Sequence, residues 1–344
     1  MREQMDKLLR AACKLGASDV HLTIGVPPVL RIHGDLKRYG NDPLDPATTE
    51  QMARLLIPKE QWSTFKENGD LDFSYSLKGV SRFRINAFHQ RTSISLAIRV
   101  VPSAIPSLES IHAPEIIKKL ALKPQGLILV TGPTGSGKST TLASAINFLN
   151  HTVQKHIITL EDPIEYLHKH RNCVIDQREI GADVKSFASG LRAALRQDPD
   201  VVLVGELRDL ETIQTAVTAA ETGHLVFGTL HTSNAGATVD RIIDVFPPSQ
   251  QPQIRIQLAS VLVGIISQRL FPTVDKKSRR PAFEVLVNNP AIANLIRDSK
   301  VYQIPNVLQT SKSTGMVELS SSIRNLIKNG VISKEAADPY LQGE

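Results

Sequence analysis

The chain has 344 residues, room for two domains at roughly 150 residues each, and its 41% apolar and 22% charged residues are ordinary for a globular protein. Its two cysteines, Cys13 and Cys173, exclude a disulfide scaffold and any zinc site built on paired Cys-x-x-Cys, and suit a reducing compartment. A formal charge of +6 suits an acidic partner such as a nucleotide, nucleic acid or anionic lipid, but with 5% aromatics no stacking surface for single-stranded nucleic acid is advertised. The first residues carry no apolar signal-peptide core, and apolar stretches such as 261–266 are far short of the ~20 residues that span a bilayer, so a soluble, cytoplasmic protein is expected.

Along the chain, Met5, Leu8, Leu9, Ala12 and Leu15 have the spacing of one helix face, with Gly16 as its stop. Residues 20–24 read as a strand, and 29–32 and 36–39 as a hairpin around His33-Gly34-Asp35. Two short helices are expected around 47–56 and 58–67. Alternating apolar residues then mark three strands: Leu71, Phe73, Tyr75; Phe83, Ile85, Ala87; Ile94, Leu96, Ile98. The first part is therefore an α+β domain on an antiparallel sheet. Pro102, Pro106, Pro114 and Pro124 place a linker over 101–125.

From Gly126 the pattern becomes strand, loop, helix, repeated, which predicts a parallel α/β sheet. Strands are expected at 127–130, 157–160, 201–204, 225–230 and 283–287, and helices at 139–149, 183–196, 209–222, 235–245 and 253–267. Asp183 and Asp209 read as N-caps, Gly223 as the residue after a helix end, and the tail beyond Pro290 as helical.

Chemistry enters at Gly132-Pro133-Thr134-Gly135-Ser136-Gly137-Lys138-Ser139, followed by Thr140. Glycines at these spacings turn backbone N–H groups inward around phosphate oxygens, and the following helix adds its positive end. Lys138 is placed to reach the β- and γ-phosphates of a nucleotide and Ser139 to bind Mg²⁺. Glu161 and Glu206 lie just past the carboxyl ends of two other expected strands, the edge where open α/β sheets bind ligands. One of them is suited to hold Mg²⁺ through water and the other to orient an attacking water; Asp162 and Glu165 lie nearby. His231, at a strand's carboxyl end, is placed to sense the γ-phosphate, whereas His224 at the other end reads equally as structural. His168 and His170 read as a surface turn, and no spacing supports zinc. Arg82, Arg84, Arg91 and Arg99 cluster on first-domain strands, either as an exposed basic face or as arginine fingers aimed at a neighbouring subunit's phosphates.

These segments together resemble a known family. The phosphate loop, Ile157-Ile158-Thr159-Leu160-Glu161-Asp162-Pro163-Ile164-Glu165-Tyr166, Gly205-Glu206-Leu207-Arg208-Asp209 and Thr222-Gly223-His224-Leu225 through His231-Thr232 are similar to the Walker A, Asp, Walker B and His boxes of the secretion-ATPase superfamily. Ala17-Ser18-Asp19-Val20-His21-Leu22 resembles the opening of its PilT-like retraction ATPases of type IV pili. The resemblance implies a PAS-like N-terminal domain (1–100), a linker (101–125) and a RecA-like P-loop ATPase domain with a helical C-terminal region (126–344). It implies ATP and Mg²⁺, a homohexameric ring, and work with the inner-membrane platform protein and the pilus machinery at the cytoplasmic face of the inner membrane. By position Glu206 is the Walker B glutamate, Glu161 the Asp-box glutamate, and Arg84 and Arg99 the arginines that meet nucleotide.

The retraction motors carry Ala-Ile-Arg-Asn-Leu-Ile-Arg-Glu where this chain has Ala291-Ile292-Ala293-Asn294-Leu295-Ile296-Arg297-Asp298. Helical spacing is expected to put Ile292, Leu295 and Ile296 on one apolar face and Ala293 off it. The pilus assembly and type II secretion ATPases, the alternative within the superfamily, usually carry an extra N-terminal domain and a four-cysteine zinc site; this chain is expected to have neither. A RecA-type nucleic-acid motor is disfavoured for want of a base-stacking surface.

Overall fold

The structure, a computed structural model, describes residues 1–341 other than His33 and Ser103. The chain forms two compact units, Met1–Ala104 with Glu165–Leu167, and Ile105–Ile164 with the chain from His168 onward.

In the first unit, helix α1 (Arg2–Lys14) buries Met5, Leu8, Leu9 and Ala12 on a single stripe. Leu15, expected on that stripe, caps the helix and is exposed, because Gly16 at φ +67° already turns the chain away. Strands β1 (Ala17–Leu22), β2 (Val29–Ile32) and β3 (Asp35–Arg38) follow. Ile32 pairs with Asp35 across the β2–β3 hairpin; His33, expected at its tip, lies outside the described residues. Helix α2 (Pro46–Leu56) starts where the Asp45 carboxylate accepts from Thr48 N at 2.6 Å, with proline in the first turn. Helix α3 (Trp62–Asn68) leads into β4 (Asp70–Leu77), β5 (Ser81–Gln90) and β6 (Ser93–Val100). All neighbours in the sheet β3-β2-β1-β6-β5-β4 are antiparallel. Phe83, Ile85 and Ala87 enter the core, so the two-residue period sends Arg82 and Arg84 to the other face. Arg91 is not on a strand: with Thr92 it forms the β5–β6 turn at positive φ.

In the second unit, much of the stretch read as a linker is structured. Helix α4 (Ile116–Ala121) buries Ile117, Leu120 and Ala121, which join Leu108 in a core shared with the sheet. Then come β7 (Gly126–Thr131), α5 (Lys138–Thr152), β8 (His156–Glu161), β9 (Val174–Glu179), α6 (Phe187–Ala194), β10 (Val201–Val204), α7 (Leu210–Glu221), β11 (Leu225–Leu230), α8 (Ala235–Asp244), α9 (Gln251–Val261), β12 (Leu262–Pro272) and β13 (Arg279–Val287). Helices α10 (Pro290–Arg297), α11 (Ile304–Thr310), α12 (Leu319–Lys328) and α13 (Lys334–Ala337) close the chain. The sheet order is β13-β12-β7-β11-β10-β8-β9. Along β7, Leu127 and Leu129 enter one core and Ile128 and Val130 the other, as in a sheet covered by helices on both faces.

Several expectations need correction. The helix expected over 253–267 ends at Val261, and Leu262 onward is strand β12, which pairs in parallel with β7. β13 returns antiparallel to β12, so the sheet is mixed. Asp183 does not cap α6; its carboxylate accepts from Glu179 N, and Ser186 forms the capping box. Asp209 does cap α7, accepting from Thr212 N at 2.8 Å.

Ala293 is inside, not off the apolar face. It is 9% exposed, and Ile292, Ala293 and Ile296 form the buried stripe of α10, with Leu295 only half-buried. The stripe is centred between i, i+1 and i+4, so the expected face was rotated by part of a turn. Ala293→Arg is therefore expected to overpack the core at a cost of about 1–3 kcal/mol. Its thermal midpoint should fall by several degrees, and an unchanged midpoint would contradict this packing.

Glu284 on β13 is 7% exposed, and its Oε1 accepts from Ala235 N at 2.7 Å, satisfying a free N–H at the start of α8. Burial, with Glu318's charge adding, pushes its carboxyl up to about 7. The group favours the fold fully below its ordinary value near 4.5, and this contribution is lost as pH rises through 7. Glu284→Gln keeps the acceptor without the charge. Its melting temperature should exceed wild type at pH 8 and converge on it near pH 5; the same difference at both pH values would contradict the assignment.

Candidate active site

The phosphate loop joins the end of β7 to the start of α5. Gly132 has φ +144°, and a Cβ there would lie 2.4 Å from the Gln268 carbonyl oxygen, so no other residue fits. Gly137, at φ +91°, opens α5. Pro133, Thr134 and Gly135 are exposed, Ser136 is buried, and Ser139 and Thr140 are half-buried on the first turn of α5. The Lys138 ammonium curls back over the loop, donating to Gly132 O at 2.7 Å and Pro133 O at 3.1 Å.

Three more groups reach this sheet edge because β7, β11, β10 and β8 are neighbours in that order and parallel. His231 follows β11, Glu206 follows β10, and Glu161 ends β8. His231 Nδ1 lies 3.5 Å from Lys138 Nζ, and its Nε2 lies 3.1 Å from Glu206 Oε1. An ammonium can only donate, so the ring proton sits on Nε2 and points at Glu206. Arg208 Nε holds the same carboxylate oxygen at 2.5 Å, and the Glu206 side chain is only 17% exposed. The loop bearing Glu206 is laced to both flanking strands. Gly205 N donates to Leu160 O at 2.7 Å, Leu207 N to Thr229 O at 3.0 Å, and the Thr229 hydroxyl to Gly205 O. Glu161 Oε1 accepts from Thr159 Oγ1 at 2.6 Å and from Gln177 Nε2 at 3.0 Å. One edge therefore assembles an ammonium, an imidazole and two oriented carboxylates beside the glycine-rich loop.

Other candidates are placed elsewhere. Asp162 is exposed beside Glu161, and Glu165 is exposed in the segment that belongs to the first unit. His224 lies at the opposite end of β11, with Nδ1 3.0 Å from Ala219 O, a structural role. His170 Nδ1 accepts from Ile175 N, a structural contact, and burial pushes His168 down to about 4, so His168 is neutral near neutral pH. Among the described residues no group of three or more His, Cys, Asp or Glu could hold a metal. In the first unit, Arg84 and Arg99 are directly opposed across β5 and β6. Arg99 Nε pairs with Asp19 at 3.0 Å, and Arg84 Nε lies 4.0 Å from Asp72.

Sequence reasoning missed a cavity of about 270 Å³ beside Gly137 and Thr140, lined also by Ser110, His112, Leu270 and Arg280. Burial, with Arg280 adding, pushes the His112 imidazole below its usual range. Nothing in the sequence marked Ser110 or His112, because they fall in a stretch that reads as linker.

The profile of the Type II/IV secretion system protein family matches residues 1–333. The chain belongs to this family. It is 45% identical over 331 residues to the Type IV pilus retractation ATPase PilT of Pseudomonas aeruginosa, covering 96% of both chains. It is 47% identical over 310 residues to a Twitching motility protein of Neisseria gonorrhoeae, covering 90% of this chain and 83% of that one. Among solved structures, the pilus retraction motor PilT with bound ADP superposes with a TM-score of 0.91 at 48% identity, covering 99% of this chain and 97% of the other. The mixed α/β build, with an N-terminal domain and a P-loop ATPase domain, fits this family. The protein is thus a P-loop ATPase. Among the described residues no helix is long and apolar enough to cross a membrane.

Proposed function

We propose that this chain is a ring-forming motor that hydrolyses ATP to retract type IV pili, acting as a homohexamer with the inner-membrane platform protein at the cytoplasmic face of that membrane. The observation that carries the reading is the chain of contacts from Lys138 through His231 to Glu206, joined to an end-to-end likeness to retraction motors.

In this reading the N–H groups of residues 134–139 and the Lys138 ammonium bind the β- and γ-phosphates, and the adenosine extends toward the cavity at Thr140 and His112. Mg²⁺ fits the donor set: the Ser139 hydroxyl and the Glu206 carboxylate are hard oxygen ligands, and Mg²⁺ takes few protein ligands beside phosphate and water. Bound there, it would neutralise charge on the phosphates. Glu161, fixed by Thr159 and Gln177, orients the attacking water. His231 bridges the loop lysine to Glu206, so a change at the γ-phosphate reaches the β10 and β11 ends together. Arg84 and Arg99 supply positive charge to a neighbour's nucleotide.

Purified protein tests this directly. It should release phosphate from ATP and run as a particle of six 37.7 kDa chains. A monomer without ATPase activity, at any protein concentration and with Mg²⁺ present, would refute it.

A further inference from the structure

Gln268 lies on β12, is 2% exposed, and points its side chain under the phosphate loop. Its amide donates to the Ser136 carbonyl oxygen at 2.7 Å across 132 residues of sequence. A carbonyl only accepts, so the end of the amide facing Ser136 is Nε2. The other end, Oε1, is buried and has no hydrogen-bond partner. A buried acceptor left unsatisfied costs free energy, and such a group calls for an explanation.

The explanation lies in the Ser136–Gly137 peptide. In a trans peptide the carbonyl and the following N–H point in opposite directions. Holding the Ser136 carbonyl down against β12 turns the Gly137 N–H up into the loop, where phosphate oxygens are bound. Gly137, at φ +91° and without a side chain, has no local preference strong enough to hold that plane by itself. Gln268 also touches the loop through its backbone, since its carbonyl oxygen leaves no room for a Cβ at Gly132. The neighbouring Ser267 hydroxyl bonds Thr131 Oγ1 at 2.8 Å, fastening β12 to β7 immediately before the loop.

We propose that Gln268 is a positioning residue for nucleotide binding: its amide N–H sets the Ser136–Gly137 peptide plane and so aims the loop's N–H groups at the phosphates. The inference rests on the reading of this site as a nucleotide site. The role requires a donor at the end of the side chain, which Met and Leu lack and an ionised Glu lacks as well. A protonated Glu regains it.

The test is ADP affinity by titration calorimetry, with steady-state ATPase kinetics, for wild type, Gln268→Met, Gln268→Leu and Gln268→Glu. Met and Leu should weaken ADP about tenfold, the loss of one hydrogen bond of this kind, and raise KM for ATP with a smaller change in kcat. Gln268→Glu should bind poorly at pH 8 and recover toward wild type as pH falls to 5.5, while Met and Leu show no recovery. A packing defect alone would lower the active fraction, and hence apparent kcat, at unchanged KM and Kd. Wild-type ADP affinity in whichever of the Met and Leu variants folds would overturn the proposal, as would a Gln268→Glu profile parallel to wild type. Failure of wild type itself to bind ADP would instead overturn the nucleotide-site reading.

Discussion

Arg84→Ala and Arg99→Ala are each expected to cut ATP turnover by about 10³-fold or more, the lower end of what an arginine finger supplies. The two arginines are register partners across β5 and β6, a like-charge pairing that destabilises a sheet unless offset, and their guanidinium groups lean towards opposite flanking strands, Arg99 to Asp19 on β1 and Arg84 to Asp72 on β4. Asp19 and Asp72 offset it while leaving the arginine side chains 69% and 46% exposed. Two exposed arginines on neighbouring strands of one sheet face suit the recognition of an anion outside the unit. Folding and ATP binding should survive in both variants, since neither side chain enters the core. Mixing either variant with Lys138→Ala protein separates action in trans from action in cis. Each parent is inactive, but a mixed ring contains interfaces that pair an intact loop with intact arginines. Activity should return in rings shown to be mixed, and its absence would count against a trans finger.

Glu206→Gln is expected to bind ATP yet hydrolyse it about 10²–10³-fold more slowly, the scale set by losing one electrostatic contact to the reacting phosphate. The amide keeps the shape of the side chain, but its NH₂ or its oxygen must now face both His231 Nε2–H and the Arg208 guanidinium, where wild type offers one charged acceptor to both. Glu161→Gln should also be slow, because the carboxylate fixed by Thr159 and Gln177 loses the charge that orients water. Single-turnover phosphate release beside nucleotide binding measures both. Normal turnover in both variants would place the catalytic carboxylates elsewhere.

The phosphate loop and the carboxyl-edge positions of Glu161, Glu206 and His231 were legible because chemistry there demands particular residue types at fixed offsets from apolar strands. Strand β12 was not. Residues 261–266 are apolar apart from Gly264, with no turn residue between α9 and the strand, and such a run fits a buried helix as well as a buried strand. With β12 went Gln268, whose position beneath the loop depends on that strand pairing with β7. Strand β9 was missed for the opposite reason. It is the sheet edge, and Val174-Ile175-Asp176-Gln177-Arg178-Glu179 carries only two apolar residues. Ala293 shows the limit of helical spacing when the partner surface is unknown: Ile292 and Ile296 defined the face, but which neighbour shared it depended on where α9 and the following chain pack. The role of His224 needed the Ala219 carbonyl, contributed by the end of the preceding helix, before its structural reading could be separated from a catalytic one.

On the proposed function, ATP hydrolysis at this site drives retraction. The most direct test is fibre retraction in cells lacking the gene, complemented with wild type or with Glu206→Gln. Wild type should restore retraction, while Glu206→Gln, expressed to the same level, should leave extended pili that do not shorten. Retraction at normal rates in the deletion strain, or its full restoration by Glu206→Gln, would show that hydrolysis at this site does not drive it.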